Sequence, residues 1–184
     1  MNVLELFSGT RSVGKCCDTL GWTTISVDLI LEADFKCDIM DFDYKQFPKD
    51  HFDIVWASPP CTEYSKAKTR GVRDIEGSNK IVLKTLEIID YFDCQYWFLE
   101  NPQTGKLKDQ SFMKDLSYVD ADYCMYGTPY RKRTRFWTNK KNIACELCNK
   151  QCGAFKEGKH IGSCGNGTKL YTDKTYSKLE KYAI

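Results

Sequence analysis

Short, almost continuously apolar runs alternate along the chain with stretches whose apolar residues recur every three or four positions. Asn2–Phe7 (NVLELF), Thr24–Leu29 (TISVDL), Phe52–Ala57 (FDIVWA) and Tyr96–Leu99 (YWFL) are of the first kind. Their β-branched and aromatic content predicts strands buried on both faces. Val13–Leu20, stopped by Gly21, is of the second kind. So is the segment after Ser78, with Ile81, Val82, Leu86, Ile89 and Tyr91–Phe92, and both predict helices, the later one capped by Ser78. Asp122–Tyr126 and Thr134–Thr138 (TRFWT) read as later strands. Buried strands alternating with helices imply an α/β fold, a doubly wound and mostly parallel sheet. Ligands of such sheets lie beyond the carboxyl ends of the strands.

From about Lys140 the texture changes, with glycine, lysine and cysteine replacing the apolar runs. The expected organisation is therefore a domain over 1–139 and a short Cys/Lys/Gly-rich extension over 140–184. A length of 184 residues suits one core-forming domain, and 14% aromatic residues favour packing over disorder. A formal net charge of +2 is too small to imply nucleic-acid binding by itself, so the placement of charge matters more. No run approaches the roughly 18 apolar residues of a membrane span, so no membrane partner is expected. The opening MNVLELFSG lacks a basic segment followed by an apolar one. Ten cysteines are many for this length, but Cys16, Cys17, Cys37 and Cys94 lie in apolar periodic segments. The expectation is an intracellular, reducing compartment, cytoplasm or nucleus, with mostly free thiols.

Several stretches carry chemistry. The turn FSGTRSVG places Gly9 and Gly14 among the small residues Ser8 and Ser12, which lets a ligand approach the backbone at a helix start. Asp28, about 20 residues further on, ends the second strand where a carboxylate can grip ribose hydroxyls. A plain tight turn and a solvated strand end are the bland alternatives, but the pair together points to an adenosine-bearing cofactor. The spacing is not GxGxxG, so a dinucleotide is not expected.

In WASPPC, Pro59 and Pro60 stiffen the backbone directly before Cys61 at the carboxyl edge of a strand. In isolation Cys61 is equally readable as a small buried hydrophobe. YWFLENPQ then delivers Glu100 and Asn101 to the same edge. A carboxyl group emerging from aromatic surroundings suits a proton donor working near neutrality. In YRKRTRFWTNKK, Arg131, Lys132, Arg133, Arg135, Lys140 and Lys141 follow one another without an acid, as expected of phosphate contacts. Cys145, Cys148, Cys152, His160 and Cys164 offer five candidates for the four places of a tetrahedral zinc site; reduced thiols in a surface module are the other reading.

The order LELFSGTRSVG, VDL, CDI, SPPCTEYS, FLENP and YGTPYRKRTRFW, over roughly residues 2–139, resembles the S-adenosylmethionine-dependent cytosine-C5 DNA methyltransferases. The resemblance implies a Rossmann-like class I methyltransferase domain with S-adenosyl-L-methionine as cofactor. It gives Cys61 the place of the nucleophile and Glu100 that of the residue contacting the cytosine ring. Arg133 and Arg135 take the places of an arginine pair, and Ser65 closes the nucleophile loop. Phe7, Gly9, Asp28, Asp38, Ile39 and Pro59 fall on the cofactor pocket, with Ser8, Thr10, Ser12 and Leu29 beside them. The implied substrate is duplex DNA with a flipped cytosine, because the reacting atoms are inaccessible inside a duplex. RNA is the alternative substrate, since a tRNA-directed branch shares the nucleophile architecture, and a non-catalytic subunit binding cofactor or nucleic acid is a third reading. Family members carry a substantial recognition domain after the arginine strand. Only about 45 residues follow it here, so DNA sequence specificity is expected to be weak, supplied by a protein partner, or absent.

Overall fold

The structure, a computed structural model, describes residues 1–162. In chain order the elements are β1 (Asn2–Leu6), α1 (Ser12–Thr19), β2 (Thr23–Asp28), β3 (Phe35–Lys36), β4 (Ile54–Ala57), α2 (Ile75–Tyr91), β5 (Tyr96–Pro102), β6 (Tyr118–Asp122) and β7 (Arg133–Thr138). A two-strand hairpin, β8 (Phe155–Lys156) and β9 (Lys159–His160), follows in the extension. The first seven strands form one sheet in the order β3-β2-β1-β4-β5-β7-β6. β1 to β5 pair in parallel, and β7 runs antiparallel to both its neighbours. The strand order reverses between β1 and β4, which makes their carboxyl ends the crevice where an open α/β sheet binds ligands.

Pleating divides the sheet into two unlike faces. Leu4, Leu6, Val27, Val55, Ala57 and Leu99 are fully or almost fully buried on one of them. They pack with Val82, Ile88 and Ile89 of α2, and with Phe92 just beyond it, in two joined apolar clusters. Each such leucine contributes about 1.5–3 kcal/mol relative to an exposed one. Register puts Glu5, Ser26, Trp56 and Phe98 together on the other face. There the ring of Trp56 meets those of Phe98 and Phe136 at 5.4 and 5.6 Å.

Two local expectations are corrected. α2 begins one turn earlier than Ser78, and its cap is Asp74, whose carboxylate accepts the Gly77 N–H at 2.8 Å. Asp122–Tyr126 is not a strand: β6 ends at Asp122, and Tyr123–Tyr126 forms a 3-10 turn closed by Gly127 at φ 93°. Aromatic residues suggest a strand there, but the left-handed glycine lets the chain turn back. Among the described residues no helix is long and apolar enough to cross a membrane.

Candidate active site

The turn from β1 to α1 is built on three left-handed residues, Phe7, Gly9 and Arg11, at φ 58°, 54° and 57°. Such a conformation is costly for an aromatic side chain and is maintained only where its surroundings enforce it. Part of that enforcement comes from Glu5, which sequence reasoning missed. It is 3% exposed and accepts the Val13 and Gly14 N–H groups at 3.2 and 3.0 Å. Arg11 provides no side-chain cap, so a carboxylate from the preceding strand satisfies two donors at the start of α1. Burial pushes the Glu5 pKa up, against the lowering effect of these two N–H groups. An acid inside an otherwise apolar strand was the available signal. A β-carbon at Gly14 would stand 2.9 Å from Glu5 Oε2, so the small residue leaves room for the cap.

Asp28 braces the same turn. Its Oδ2 accepts the Gly9 N–H at 2.9 Å, while Oδ1 accepts those of Ile30 and Leu31 at 2.9 and 2.8 Å. The Asp28 carbonyl accepts the Cys37 N–H at 3.1 Å, which brings Asp38 and the buried Ile39 alongside. Asp38 itself accepts the Met40 N–H at 2.9 Å. Thr10 and Ser12 face each other at 3.3 Å between hydroxyls, and Leu29 is 59% exposed at the rim. Ser8 Oγ is buried and has no hydrogen-bond partner among the described residues. The fold thus gathers Phe7–Ser12, Asp28, Leu29, Asp38 and Ile39 at the carboxyl ends of β1 to β3.

Cys61 follows β4 at this edge. The loop before it is anchored by buried Asn101, whose side-chain amide donates to the Pro59 carbonyl at 3.0 Å. Beyond it, fully buried Tyr64 donates to Asn79 Oδ1 at 2.8 Å and accepts the Lys106 N–H on its carbonyl at 2.9 Å. Ser65 caps the next turn through the Ala67 N–H at 3.1 Å. Glu63, Lys68 and Arg73 lace the outer side, with Arg73 donating to the Glu63 and Lys68 carbonyls at 2.6 Å each. Cys61 is thereby held between two buried anchors, one on β5 and one in its own loop.

Cations are distributed differently from the expectation. Arg133 and Arg135 lie on the face of β7 turned away from Glu100, because Glu100 pairs with Phe136 and alternation sends the odd-numbered residues the other way. Arg133 donates twice to Asp122, at 2.9 and 2.8 Å, and Arg135 twice to Asp120, at 2.7 and 2.9 Å. Arg135 also stacks on Tyr118, its guanidinium carbon 3.5 Å from the ring centre. Arg131 pairs with Asp122 as well, at 3.0 Å. The cation beside Glu100 is Lys132, with Nζ 3.4 Å from Oε1 and 5.1 Å from the centre of the Tyr123 ring.

Glu100 Oε1 is buried and accepts no well-formed hydrogen bond among the described residues. Burial and then Glu100 push the Cys61 thiol pKa up, while Lys132 pulls it down. Burial, the largest single effect, disfavours the Lys132 charge, but Glu100, Tyr123 and Cys61 together outweigh it and the ammonium is held above its ordinary pKa. The thiol, the carboxyl group and the ammonium therefore act on one another across the β4–β5–β7 edge. A nucleophile beside a group that takes or gives a hydrogen bond, with a cation to favour the thiolate, suits covalent addition to a polarised ring.

In the extension, Cys148, Cys152 and His160 come together with Cys124, a residue of the 3-10 turn after β6 that sequence reasoning did not select. Its distance along the chain from the CxxC stretch concealed it. Cys145 is not in this group and instead lines, with Tyr123, Tyr126 and Phe136, an apolar cavity of about 390 Å³. Cys164 lies outside the described residues.

Sheet order, the lone antiparallel β7 and the braced first turn define a Rossmann-like domain of the class I methyltransferase type. Residues 30–117 match the C-5 cytosine-specific DNA methylase family. The chain is 36% identical over 163 residues to the "Probable DNA (cytosine-5)-methyltransferase" of Frog virus 3 (isolate Goorha), covering 80% of this chain and 75% of that protein. This protein therefore belongs to the C-5 cytosine-specific DNA methylase family. Among solved structures, the Entamoeba histolytica methyltransferase EhMeth superposes with a TM-score of 0.60 at 18% identity, over 81% of this chain and 57% of that one. Spodoptera frugiperda DNMT2 gives 0.55 at 17%, over 79% and 55%. These two likenesses bear on the fold alone, and the chain spans little more than half of each of those structures.

Proposed function

We propose that this protein transfers a methyl group from S-adenosyl-L-methionine to C5 of cytosine in DNA, with Cys61 as the covalent nucleophile. The observation that carries the reading is the convergence of Cys61, Glu100 and Lys132 on one edge of the sheet. The Glu100 oxygen nearest the cation is buried, and its 3.4 Å ion pair with Lys132 leaves it without a well-formed hydrogen bond among the described residues.

Cytosine C5 is too weak a nucleophile to react unaided. In the proposed sequence the Cys61 thiolate bonds to C6, and the electron pair of the 5,6 double bond moves toward C5 and the ring. Glu100 hydrogen-bonds or protonates N3, stabilising the charge that develops there. Lys132 favours the thiolate before attack and keeps Glu100 in place. The family's arginine pair has no counterpart on this face, and we assign its electrostatic role here to Lys132, with Arg133 and Arg135 holding β7 to β6. After alkylation at C5, a base removes the C5 proton and the Cys61–C6 bond breaks, restoring the double bond. A base held in a duplex has to be flipped out before Cys61 can reach it.

When bound, S-adenosyl-L-methionine would supply the methyl group as an electrophile on a sulfonium, whose sulfur leaves as a neutral thioether. The residues present fit it: a concave turn of left-handed residues, the unpartnered buried hydroxyl of Ser8, and a carboxylate-braced strand end. Phe7, Ser8, Gly9, Thr10, Ser12, Asp28, Leu29, Asp38, Ile39 and Pro59 would hold it.

The test is to incubate the protein with labelled S-adenosyl-L-methionine and with DNA or RNA carrying 5-fluorocytosine. Fluorine at C5 cannot leave as a proton does, so the adduct persists through denaturation. A labelled adduct on DNA, lost in Cys61→Ala, is the expected result. An adduct on RNA alone would transfer the reading to RNA, and none on either would overturn it in favour of a non-catalytic binder.

A further inference from the structure

Between residues 140 and 162 the only buried residue is Cys148. This stretch has no apolar core of its own, yet its backbone is tied to the catalytic sheet at several points. The Cys148 N–H donates to Asp122 at 2.8 Å, the Glu146 carbonyl accepts the Asp122 N–H at 3.0 Å, and the Gly162 N–H donates to the Pro129 carbonyl at 2.9 Å. Within the segment, Glu157 and Gly158, both left-handed at φ 49° and 82°, close the β8–β9 hairpin and bring His160 back over the loop. Segments this poor in apolar side chains are ordinarily ordered by a metal or by disulfides.

The sulfurs are not joined. Cys124, Cys148 and Cys152 are all free thiols. Their Sγ atoms and His160 Nε2 lie within 4.8 Å of one another. Individual separations are 3.5 Å from Cys148 to Cys152, 3.6 Å from Cys148 to His160 and 3.3 Å from Cys152 to His160. A tetrahedral zinc ion with Zn–S of about 2.3 Å and Zn–N of about 2.0 Å sets its ligand atoms roughly 3.5–3.8 Å apart. A disulfide requires about 2.05 Å instead. The Lys150 N–H points at Cys148 Sγ from 3.3 Å, the kind of outer contact that steadies a metal-bound thiolate.

We infer that Cys124, Cys148, Cys152 and His160 bind a zinc ion that clamps the extension onto the catalytic sheet. Its consequence for the active site follows from position. Cys124 is next in sequence to Tyr123, whose ring meets Lys132, and Cys148 donates its backbone N–H to the carboxylate that holds Arg133. The ion is a structural cross-link: all four coordination places belong to protein, so none is open to substrate. It fixes the turn that carries Tyr123, the ring under Lys132. Because Cys124 lies in the catalytic region and its three partners in the extension, neither part holds the complete site alone.

The inference does not depend on the methyl-transfer reading, and its test reads metal directly. Full-length protein, purified under reducing conditions and loaded with zinc, is dialysed and its zinc measured by mass spectrometry. One equivalent per chain is expected in the wild type and in Cys145→Ser, with a loss of most of it in Cys124→Ser and in Cys148→Ser. To keep misfolding from deciding the matter, cobalt(II) is titrated into the metal-free wild type. Thiolate-to-cobalt charge-transfer bands with intense tetrahedral d–d bands are expected. Absence of zinc and of these bands in the wild type overturns the inference, as does a Cys124→Ser protein that retains its full equivalent.

Discussion

Lys132 Nζ lies 3.4 Å from Glu100 Oε1 across the β5–β7 pair, and the two groups act with opposite sign on the thiol of Cys61. Glu100 raises that pKa and Lys132 lowers it, so substitutions at the two positions move the free thiol in opposite directions. In the absence of substrate, Lys132→Ala is expected to slow iodoacetamide alkylation of Cys61 several-fold at fixed pH. Glu100→Gln is expected to speed it. Below the pKa each unit of displacement changes the thiolate fraction about tenfold. Peptide mass spectrometry separates Cys61 from the other thiols. A shift of both variants in one direction would contradict the arrangement.

The same displacement sets a pH dependence. Burial and Glu100 leave Cys61 above its ordinary thiol range, so it is mostly protonated at neutrality. Its thiolate fraction grows as pH rises, about tenfold per unit until the pKa is reached. Alkylation of Cys61 in the wild type should therefore accelerate steadily from pH 6.5 to 9. A rate already level at neutral pH would mean a thiolate stabilised by something other than these neighbours.

Asn101 is 1% exposed and holds the Pro59 carbonyl two residues ahead of the thiol. Asn101→Ala leaves that carbonyl without its side-chain donor and should cost about 1–3 kcal/mol of stability, measured by urea unfolding. Fluorocytosine adduct formation should fall more steeply than stability, because the loop presenting Cys61 loosens while the sheet survives. An adduct rate unchanged under conditions where the variant is fully folded would remove Asn101 from the positioning role.

Arg133 and Arg135 face Asp122 and Asp120, whereas Lys132 faces Glu100, so a separation of effects is expected. Lys132→Ala should lower the adduct rate by roughly 100-fold with little loss of stability, an effect of the size seen when one preorganised electrostatic contact is removed. Lys132→Arg should recover part of the rate. Arg135→Met should lower stability chiefly, visible as a reduced Tm. The opposite pattern, a large rate loss in Arg135→Met without destabilisation, would return the catalytic role to the arginines.

Asp122 is fully buried, and its pKa is set by opposing effects: burial raises it, while Arg133, the Cys148 N–H and Arg131 lower it further, with a net downward result. A depressed folded-state pKa stabilises the fold above the unfolded value and loses that stability as pH falls through the folded one. Unfolding free energy should therefore drop as pH is lowered below about 4, where an unfolded Asp titrates. Asp122→Ala removes the carboxylate that Arg131, Arg133 and the Cys148 N–H share, costs on the order of 3 kcal/mol, and flattens that acid limb. An unaltered acid limb in the variant would show that other carboxylates dominate it.

Much of the fold was legible because buried parallel strands have no polar face to interrupt them. NVLELF, TISVDL and FDIVWA fell within two residues of the bounds of β1, β2 and β4, and YWFL covers the start of β5, which runs three residues further. The Asp74 cap escaped notice because Ser78 is also a cap-forming residue and lies four positions on, and only the backbone distinguishes them. Glu5 escaped because a strand pattern tells which residues are inside, not which buried acid a neighbouring helix start requires.

Residue order alone carried the succession of chemical pieces: a glycine-bearing turn, a strand-end aspartate, a proline-stiffened thiol, a carboxyl group emerging from aromatics, and a cationic strand. These depend on local residue type and spacing, which survive in one dimension. Which cation meets Glu100 was settled by folding, because RKRTR is positive on both faces and the pairing register with β5 selects Lys132. Likewise only folding brought Cys124 to Cys148, Cys152 and His160, since a contact between residues distant along the chain is set by how the sheet closes and leaves no trace in spacing.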